Sequence, residues 1–223
     1  DYGGKAHGKV NLEEALVKSC NSYFAEKGTM VGKDKLGEIA DKFMLNKNIP
    51  FDLPTAKSSF PYKENLGKTD IAAASIGQGK VLVTPLNMVM IASGIANKGE
   101  IVKPNLVKEA IAPDGSIVES NYSQVLSKAT DVFTANEIKN MMVEVVNRGT
   151  GTNARIRDIR VAGKTGTAEN SSGKTHAWFT GFAPADDPKI AVVVVLEEDG
   201  TTGGKTAAPI ARDIMIEALN TIK

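Results

Sequence analysis

The sequence is poor in the residues that build metal and disulfide sites. Its 223 residues include one cysteine, two histidines and one tryptophan. Cys20 alone cannot form an internal disulfide, and one cysteine with two distant histidines does not make a usual zinc cluster. A cysteine nucleophile would need a nearby histidine base, and neither His7 nor His176 lies in a cysteine-enzyme pattern. We therefore expect no metal and no cofactor, and a structural role for Cys20.

Charge and hydrophobicity exclude further classes of protein. The 27 basic residues balance 26 acidic ones to a net charge of +1, which gives no reason to expect a nucleic-acid partner. No apolar run approaches the roughly 18 residues of a membrane span, and no secretory signal opens the chain. The length fits one domain or a large part of a bigger one. Because the chain starts at Asp1 without a methionine, we expect a truncated or processed product.

The most informative segment is residues 162–169, AGKTGTAE. The alternating run before it, residues 156–161, predicts a half-buried strand, and the apolar run at residues 176–183 predicts the second strand of a hairpin. Such a segment can present the Lys164 cation, two threonine hydroxyls and a backbone N–H to an anionic, carbonyl-bearing ligand. A plain surface hairpin with a turn glycine is the alternative interpretation.

A nucleotide-binding loop is a further interpretation of Gly163-Lys164-Thr165. That motif requires a glycine five residues before the glycine of its Gly-Lys pair. Asp158 occupies this position. The sequence therefore excludes phosphate-loop chemistry at this segment.

A second motif and several ordered matches change the balance between these interpretations. Lys-Thr-Gly is one of the three elements of penicilloyl-serine transferases, together with Ser-x-x-Lys and Ser-x-Asn. A Ser-x-Asn triplet lies far upstream at Ser19-Cys20-Asn21. Further segments match in order: Ile76–Gly79, Val83–Met88, Ile95–Gly99, Trp178–Pro184 and Ala207–Ala211. Over nearly all of its length, the chain resembles the transpeptidase domain of class B penicillin-binding proteins.

The resemblance implies a fold and a set of site residues. The fold would be α+β, of the β-lactamase/DD-peptidase type, with an antiparallel sheet flanked by helices and the N-terminal part of the fold missing. Ser19 would pass a proton to the leaving amine, Asn21 would hydrogen-bond the base lysine and the substrate, and Lys164 would keep Ser19 polarised. The substrate carboxylate would bind the hydroxyls of Thr165 and Thr167. The Thr167 N–H would be one oxyanion donor, and Gly166 would leave room for the ligand.

One departure from the family is important. Ser-x-x-Lys, the nucleophile motif, should precede Ser-x-Asn by several tens of residues, but only eighteen residues precede Ser19 and none is serine. The literal Ser-x-x-Lys at Ser171–Lys174 follows Lys-Thr-Gly, and we interpret it as a solvated turn. We therefore expect residues 1–223 to be the C-terminal portion of a single transpeptidase domain that is inactive alone.

By resemblance, the parent protein would be a membrane-anchored peptidoglycan D,D-transpeptidase on the outer face of the cytoplasmic membrane. Its partners would be peptidoglycan stem peptides and β-lactams. Two alternatives stay open, namely a serine β-lactamase or β-lactam sensor domain, and a degenerate binding module. Against the first, Lys42 stands where class A β-lactamases carry the glutamate of a Glu-x-x-Leu-Asn element.

The remaining pattern predicts several elements. Helices are expected after Asn11, over residues 34–43, from Thr84 to Gly99, after a Thr134 cap and over residues 209–222. Strands are expected at residues 105–111 and 116–118, joined by a Pro-Asp-Gly turn, and at residues 189–197. The last strand is continuously apolar and should be covered on both faces. With the N-terminal part missing, its edge would pair with an N-terminal fragment or another copy.

Overall fold

Helices occupy both ends of the chain in the computed structural model, which describes residue 4 and residues 6–222. The helices are α1 Leu12–Lys18, α2 Asn21–Val31, α3 Lys33–Lys42, α4 Lys68–Ala74, α5 Pro85–Ala96, α6 Val132–Arg148 and α7 Ala207–Thr221. The strands are β1 Glu100–Val102, β2 Glu109–Ile111, β3 Ile117–Ser120, β4 Val125–Lys128, β5 Ala162–Ala168, β6 His176–Ala183 and β7 Ile190–Leu196. None of the described helices is long and apolar enough to span a bilayer.

The main sheet is antiparallel, with the strand order β5-β6-β7. Gly166 pairs with Trp178, which in turn pairs with Val195. The predicted strand at residues 156–161 is wrong, because Asp158 turns the chain at φ 61° and only an isolated bridge joins Ile156 to Ile159. Both isoleucines pack against the same core cluster from this turn, and their burial produced the misleading alternation.

Alternate residues of the sheet pack on opposite layers of helices. Phe179 and Val192 lie in a cluster with Met215 of α7. Phe182 lies in a second cluster with Ile95 of α5 and two residues of α6. Both α5 and α7 contact β7, so the prediction that this apolar strand is covered on both faces is confirmed. The outer edges of β5 and β7 carry no strand partner among the described residues.

The helix starts follow the side chains that accept the first free N–H groups. Asn11 and Thr84 cap α1 and α5 as predicted, accepting from the backbone of Glu14 and Asn87. The Thr134 cap is wrong, because Asp131 accepts the Thr134 N–H at 2.8 Å and α6 begins three residues earlier than expected. A carboxylate is a strong N-cap, and its charge favours the positive end of the helix dipole.

The small strands differ from the prediction in extent. The hairpin of β2 and β3 is present, but β2 starts at Glu109 and not at residue 105. The carboxylate of Asp52 accepts the N–H groups of Leu106 and Val107, which removes them from strand pairing. The pair formed by β1 and β4 was not predicted, because three or four residues are too few for a periodic signal.

The junction of α1 and α2 is held against α6 and the segment that follows it. Arg148 of α6 forms ion pairs with Glu13 and Glu14 of α1. The Thr150 N–H donates to the carbonyl oxygen of Val17 at 3.3 Å. The Ser-x-Asn residues therefore follow a helix whose last turn is attached to the segment that leads to β5.

The assignment of the core predicts a difference between two phenylalanines. Phe179 is 0% exposed, so Phe179→Ala should lower the free energy of unfolding by about 3–5 kcal/mol in urea denaturation. Phe133→Ala is the matched control, because its ring is 75% exposed and should change stability by no more than about 0.5 kcal/mol. Equal losses in the two variants would contradict this core.

Candidate active site

Ser19 stands where the chain reverses between α1 and α2. It adopts the left-handed conformation, φ 54° and ψ 53°, as the C-terminal cap of α1. Glycine is the usual residue at such a cap, and a serine here is strained but keeps its hydroxyl. Cys20 follows as a buried residue, in keeping with a structural role, and Asn21 begins α2. Ser19 and Cys20 therefore form a short connection between two helices, and Asn21 lies inside the second helix.

Lys164 reaches Ser19 from β5, an edge strand of the three-stranded sheet. Its Nζ donates to Ser19 Oγ at 2.8 Å and to the Thr165 carbonyl oxygen at 2.9 Å. Burial lowers the pKa of the Lys164 ammonium to about 8, because leaving water disfavours the charged form. A lysine with this pKa can hold or release a proton near neutral pH.

The free edge of β5 faces this contact. The Thr165 carbonyl oxygen accepts from the Lys164 side chain of the same strand. The Thr167 carbonyl oxygen and the Glu169 N–H bond to the side chain of Gln78. Since the N–H and C=O of one residue in an antiparallel strand point to the same side, the Thr167 N–H also points away from β6. The hydroxyl of Thr165 lies 2.6 Å from that of Thr150. Hydroxyls and backbone groups thus follow one another along the edge.

A cavity of about 670 Å³ lies between β5 and the junction of α1 and α2, beside the contact of Lys164 with Ser19. All six residues predicted from the sequence line it, namely Ser19, Asn21, Lys164, Thr165, Gly166 and Thr167. Lys18 and Lys205 also line it, and the described lining includes no aspartate or glutamate. The cavity therefore favours an anionic ligand, as the residues of the Lys-Thr-Gly segment alone indicated.

Gly166 packs tightly against the neighbouring strand, and Gly203 packs tightly against Gly166. A Cβ at this position would lie 3.1 Å from the Cβ of Trp178 on the neighbouring strand. Gly203 approaches from the loop before α7, where its own Cβ would lie 2.5 Å from the Gly166 carbonyl oxygen. The sequence suggested only that Gly166 leaves room for a ligand, and this close approach of two backbones could not be read from it.

Other lining residues were missed as site residues. Thr150 and Asn153 lie between α6 and β5, and Thr202 lies in the loop before α7, where the sequence shows no motif. Gln78 belongs to a segment that supported the family resemblance without a role for its side chain. No local signal could have found Thr150 or Thr202, because they reach the cavity only through tertiary packing.

Two other sequence features stay outside the cavity. Residues 171–174, the misplaced Ser-x-x-Lys, form an exposed turn as predicted. Lys42, at the position of the β-lactamase glutamate, does not line the cavity.

Comparison with known proteins identifies the family. The family model for the penicillin binding protein transpeptidase domain matches residues 1–216. The chain belongs to this transpeptidase family. It is 34% identical over 230 residues to the peptidoglycan D,D-transpeptidase PbpA of Mycolicibacterium smegmatis, covering 98% of this chain and 46% of the relative. Other relatives, such as stage V sporulation protein D of Bacillus subtilis, are likewise class B penicillin-binding proteins.

Solved transpeptidase structures share the fold. The D,D-transpeptidase domain of a peptidoglycan glycosyltransferase from Eggerthella lenta superposes with a TM-score of 0.91 at 34% identity, covering 97% of this chain and 55% of that one. Penicillin-binding protein A of Mycobacterium tuberculosis, as its penicillin G acyl-enzyme complex, gives 0.89 at 34% identity, covering 99% and 51%. The predicted α+β transpeptidase fold is confirmed. The chain spans about half the length of the relatives it matches.

The buried ammonium predicts how the stability of this transpeptidase chain depends on pH. Because folding lowers the pKa of Lys164 to about 8, the unfolded chain holds the proton more tightly than the folded one between that pH and the ordinary lysine value of 10.5. The free energy of unfolding should therefore include a contribution that rises from about pH 8 to about pH 10.5. Below pH 8 both states are protonated and the cost of burial is fully present.

Urea unfolding over a pH series measures this contribution. Lys164→Met should remove the rise, and Lys174→Met in the exposed turn should retain it. A direct measurement is the NMR titration of ¹³Cε-labelled lysines, with Lys164→Arg identifying the signal. A Lys164 signal that titrates only above pH 10 would contradict the buried, lowered pKa.

Proposed function

We propose that this chain supplies the Ser-x-Asn and Lys-Thr-Gly part of a peptidoglycan D,D-transpeptidase, which cross-links stem peptides by serine acyl transfer. The contact of 2.8 Å between Lys164 Nζ and Ser19 Oγ carries the proposal, because it joins both motifs at one cavity. Membership of the transpeptidase family and the known D,D-transpeptidases among the relatives support it. We further propose that the parent protein acts outside the cytoplasmic membrane, as the family resemblance implies.

Each motif residue has a defined task in this proposal. Serine acyl transfer needs an activated hydroxyl, a proton shuttle and donors directed at the developing oxyanion. Ser19 passes the proton to the leaving amine, and Lys164 polarises the Ser19 hydroxyl while it attracts the terminal carboxylate of the stem peptide. Asn21 bonds the base lysine and the substrate peptide. The side chains of Thr165 and Thr167 bind the carboxylate, and the Thr167 N–H stabilises the oxyanion.

The nucleophile and its base come from a separate segment in this proposal. The residues that line the cavity include no Ser-x-x-Lys motif among those described. The Ser-x-x-Lys at residues 171–174 forms an exposed turn outside this lining. We propose that the chain is the C-terminal portion of the domain and that an upstream Ser-x-x-Lys segment completes the site. The length of the relatives, about twice that of the region matched, supports this.

In this proposal, the upstream segment binds in a second cavity. It has a volume of about 610 Å³, and its lining combines the β5 edge with apolar residues of β6, β7 and α5, among them Trp178, Val195 and Met88. Lys164 and Thr165 line this cavity as well as the first one. An amphipathic segment bound here would therefore cover apolar surface and lie beside Lys164. The outer edge of β7 would pair with the same N-terminal fragment or with a second copy of the chain.

The covalent chemistry gives the first test of this function. Incubated with penicillin and examined by intact-mass analysis, the chain alone should form no adduct, because the acylated serine is absent. Loss of the nucleophile removes a factor of order 10⁶ in a measured serine-enzyme triad. The longer protein, with the upstream Ser-x-x-Lys segment present, should form one adduct per molecule. A stoichiometric adduct on the chain alone would refute the proposed division of the site.

The role of Ser19 gives the second test. In the longer protein, Ser19→Ala should reduce transpeptidation of a stem-peptide donor by about 10²–10⁴-fold, the usual contribution of a positioned proton-transfer group. Ser172→Ala in the exposed turn is the control and should leave the rate unchanged. The rate of cross-link formation, followed by chromatography of the products, is the measurement. Equal rates for Ser19→Ala and the control would exclude Ser19 from the reaction.

A further inference from the structure

The side chain of Gln78 lies between the two cavities and lines both of them. Its amide bonds the free edge of β5 at two points. Gln78 Nε2 donates to the Thr167 carbonyl oxygen at 3.1 Å, and Gln78 Oε1 accepts the Glu169 N–H at 3.3 Å. One side chain therefore engages two backbone groups that flank Ala168.

These two bonds reproduce the pattern of strand pairing. In a parallel pair, one residue donates to the carbonyl that precedes its opposite residue and accepts from the N–H that follows it. The amide of Gln78 makes both of these bonds around Ala168. It therefore acts as a single residue of a neighbouring strand and occupies the edge at this position.

The turn that carries Gln78 has a glycine on each side of this residue. Gly77 and Gly79 have φ values of 72° and 71°, in the left-handed region that glycine adopts without strain. The Gln78 N–H donates to the Ala73 carbonyl oxygen at 3.0 Å, which ties the residue to the end of α4. The bond to Ala73 holds Gln78 at the end of α4, and from there its amide reaches β5.

We propose that Gln78 is a positioning residue that ends the ligand-accessible edge of β5 at Ala168 and keeps the Thr167 N–H directed into the catalytic cavity. This rests on the proposed function, in which that N–H is an oxyanion donor. An acyl donor then pairs with the edge as far as Thr167, and its remaining chain must leave the sheet there. Gln78 thereby fixes the register of the donor without touching the reacting atoms.

Two variants separate the two bonds. Gln78→Ala removes both of them. Gln78→Glu keeps an oxygen that can accept the Glu169 N–H but loses the donor to the Thr167 carbonyl. Gln124→Ala is the matched control, because Gln124 is the chain's other glutamine and is exposed, remote from the lining of both cavities.

Both measurements use the longer protein in which the Ser-x-x-Lys segment precedes this chain. The first is hydrogen exchange of the Glu169 amide, which should be about tenfold faster in Gln78→Ala and unchanged in Gln78→Glu and in the control. The second is the acylation rate constant at saturating penicillin G, which should fall about tenfold in both Gln78 variants and stay unchanged in the control. A merely structural role would not slow acylation in Gln78→Glu while Glu169 remains protected. Because the rate is measured at saturating penicillin G, weaker binding of this anion beside the added carboxylate is not the cause of a slower rate.

The outcomes distinguish this inference from the proposed function. Unchanged Glu169 exchange in Gln78→Ala would show that the edge contact is not made, and unchanged acylation in both variants would show that it does not position the donor. Either result overturns the inference and leaves the proposed function standing. If the wild-type protein is not acylated at all, the proposed function is wrong. A faster Glu169 exchange in Gln78→Ala would then show only that Gln78 stabilises the fold, and the positioning role would be overturned as well.

Discussion

The buried ammonium of Lys164 constrains the arrangement around it. A charge that leaves water needs polar partners, and here it has the Ser19 hydroxyl and the Thr165 carbonyl oxygen. Those two partners belong to segments far apart in sequence, so the lysine can be accommodated only when the end of α1 and the edge of β5 come together. The ion pairs of Arg148 and the Thr150–Val17 hydrogen bond stabilise this arrangement by attaching α1 to the end of α6 and the segment after it.

A free sheet edge is usually a liability, and in the proposed function the β5 edge serves as a binding surface. At β5, the outward backbone groups face a cavity whose described lining has lysines and no carboxylate, so the edge can receive an anionic peptide. Gln78 occupies one end of this edge and Lys164 satisfies a carbonyl near its middle. At β7, by contrast, the described residues offer neither a partner nor polar side chains, which fits an edge that is covered in a larger assembly.

Glycines at two places allow close approaches around the cavity. Gly203 allows the loop before α7 to approach the backbone of the sheet at Gly166 and Trp178. Gly77 and Gly79 allow the turn that carries Gln78 across to β5. In both places a side chain would either collide with backbone or strain the turn, and the cavity would change shape. The acyl-enzyme complex of the structural neighbour with penicillin G is a known use of the same fold.

Much of this protein could be read from local patterns. The ordered motifs indicated the family and predicted Ser19, Asn21 and Lys164 as site residues. The caps at Asn11 and Thr84 correctly predicted where two helices begin. Predictions from local patterns were wrong where another group took the backbone hydrogen bonds or turned the chain. The examples are the turn at Asp158, the Asp131 cap and the Asp52 carboxylate that shortens β2. The sequence by itself determined which chemical groups are available and in what order. That Thr150 and Gln78 reach β5, and that Lys164 loses part of its hydration, depends on the folded structure, because burial and long-range hydrogen bonds depend on which surfaces meet.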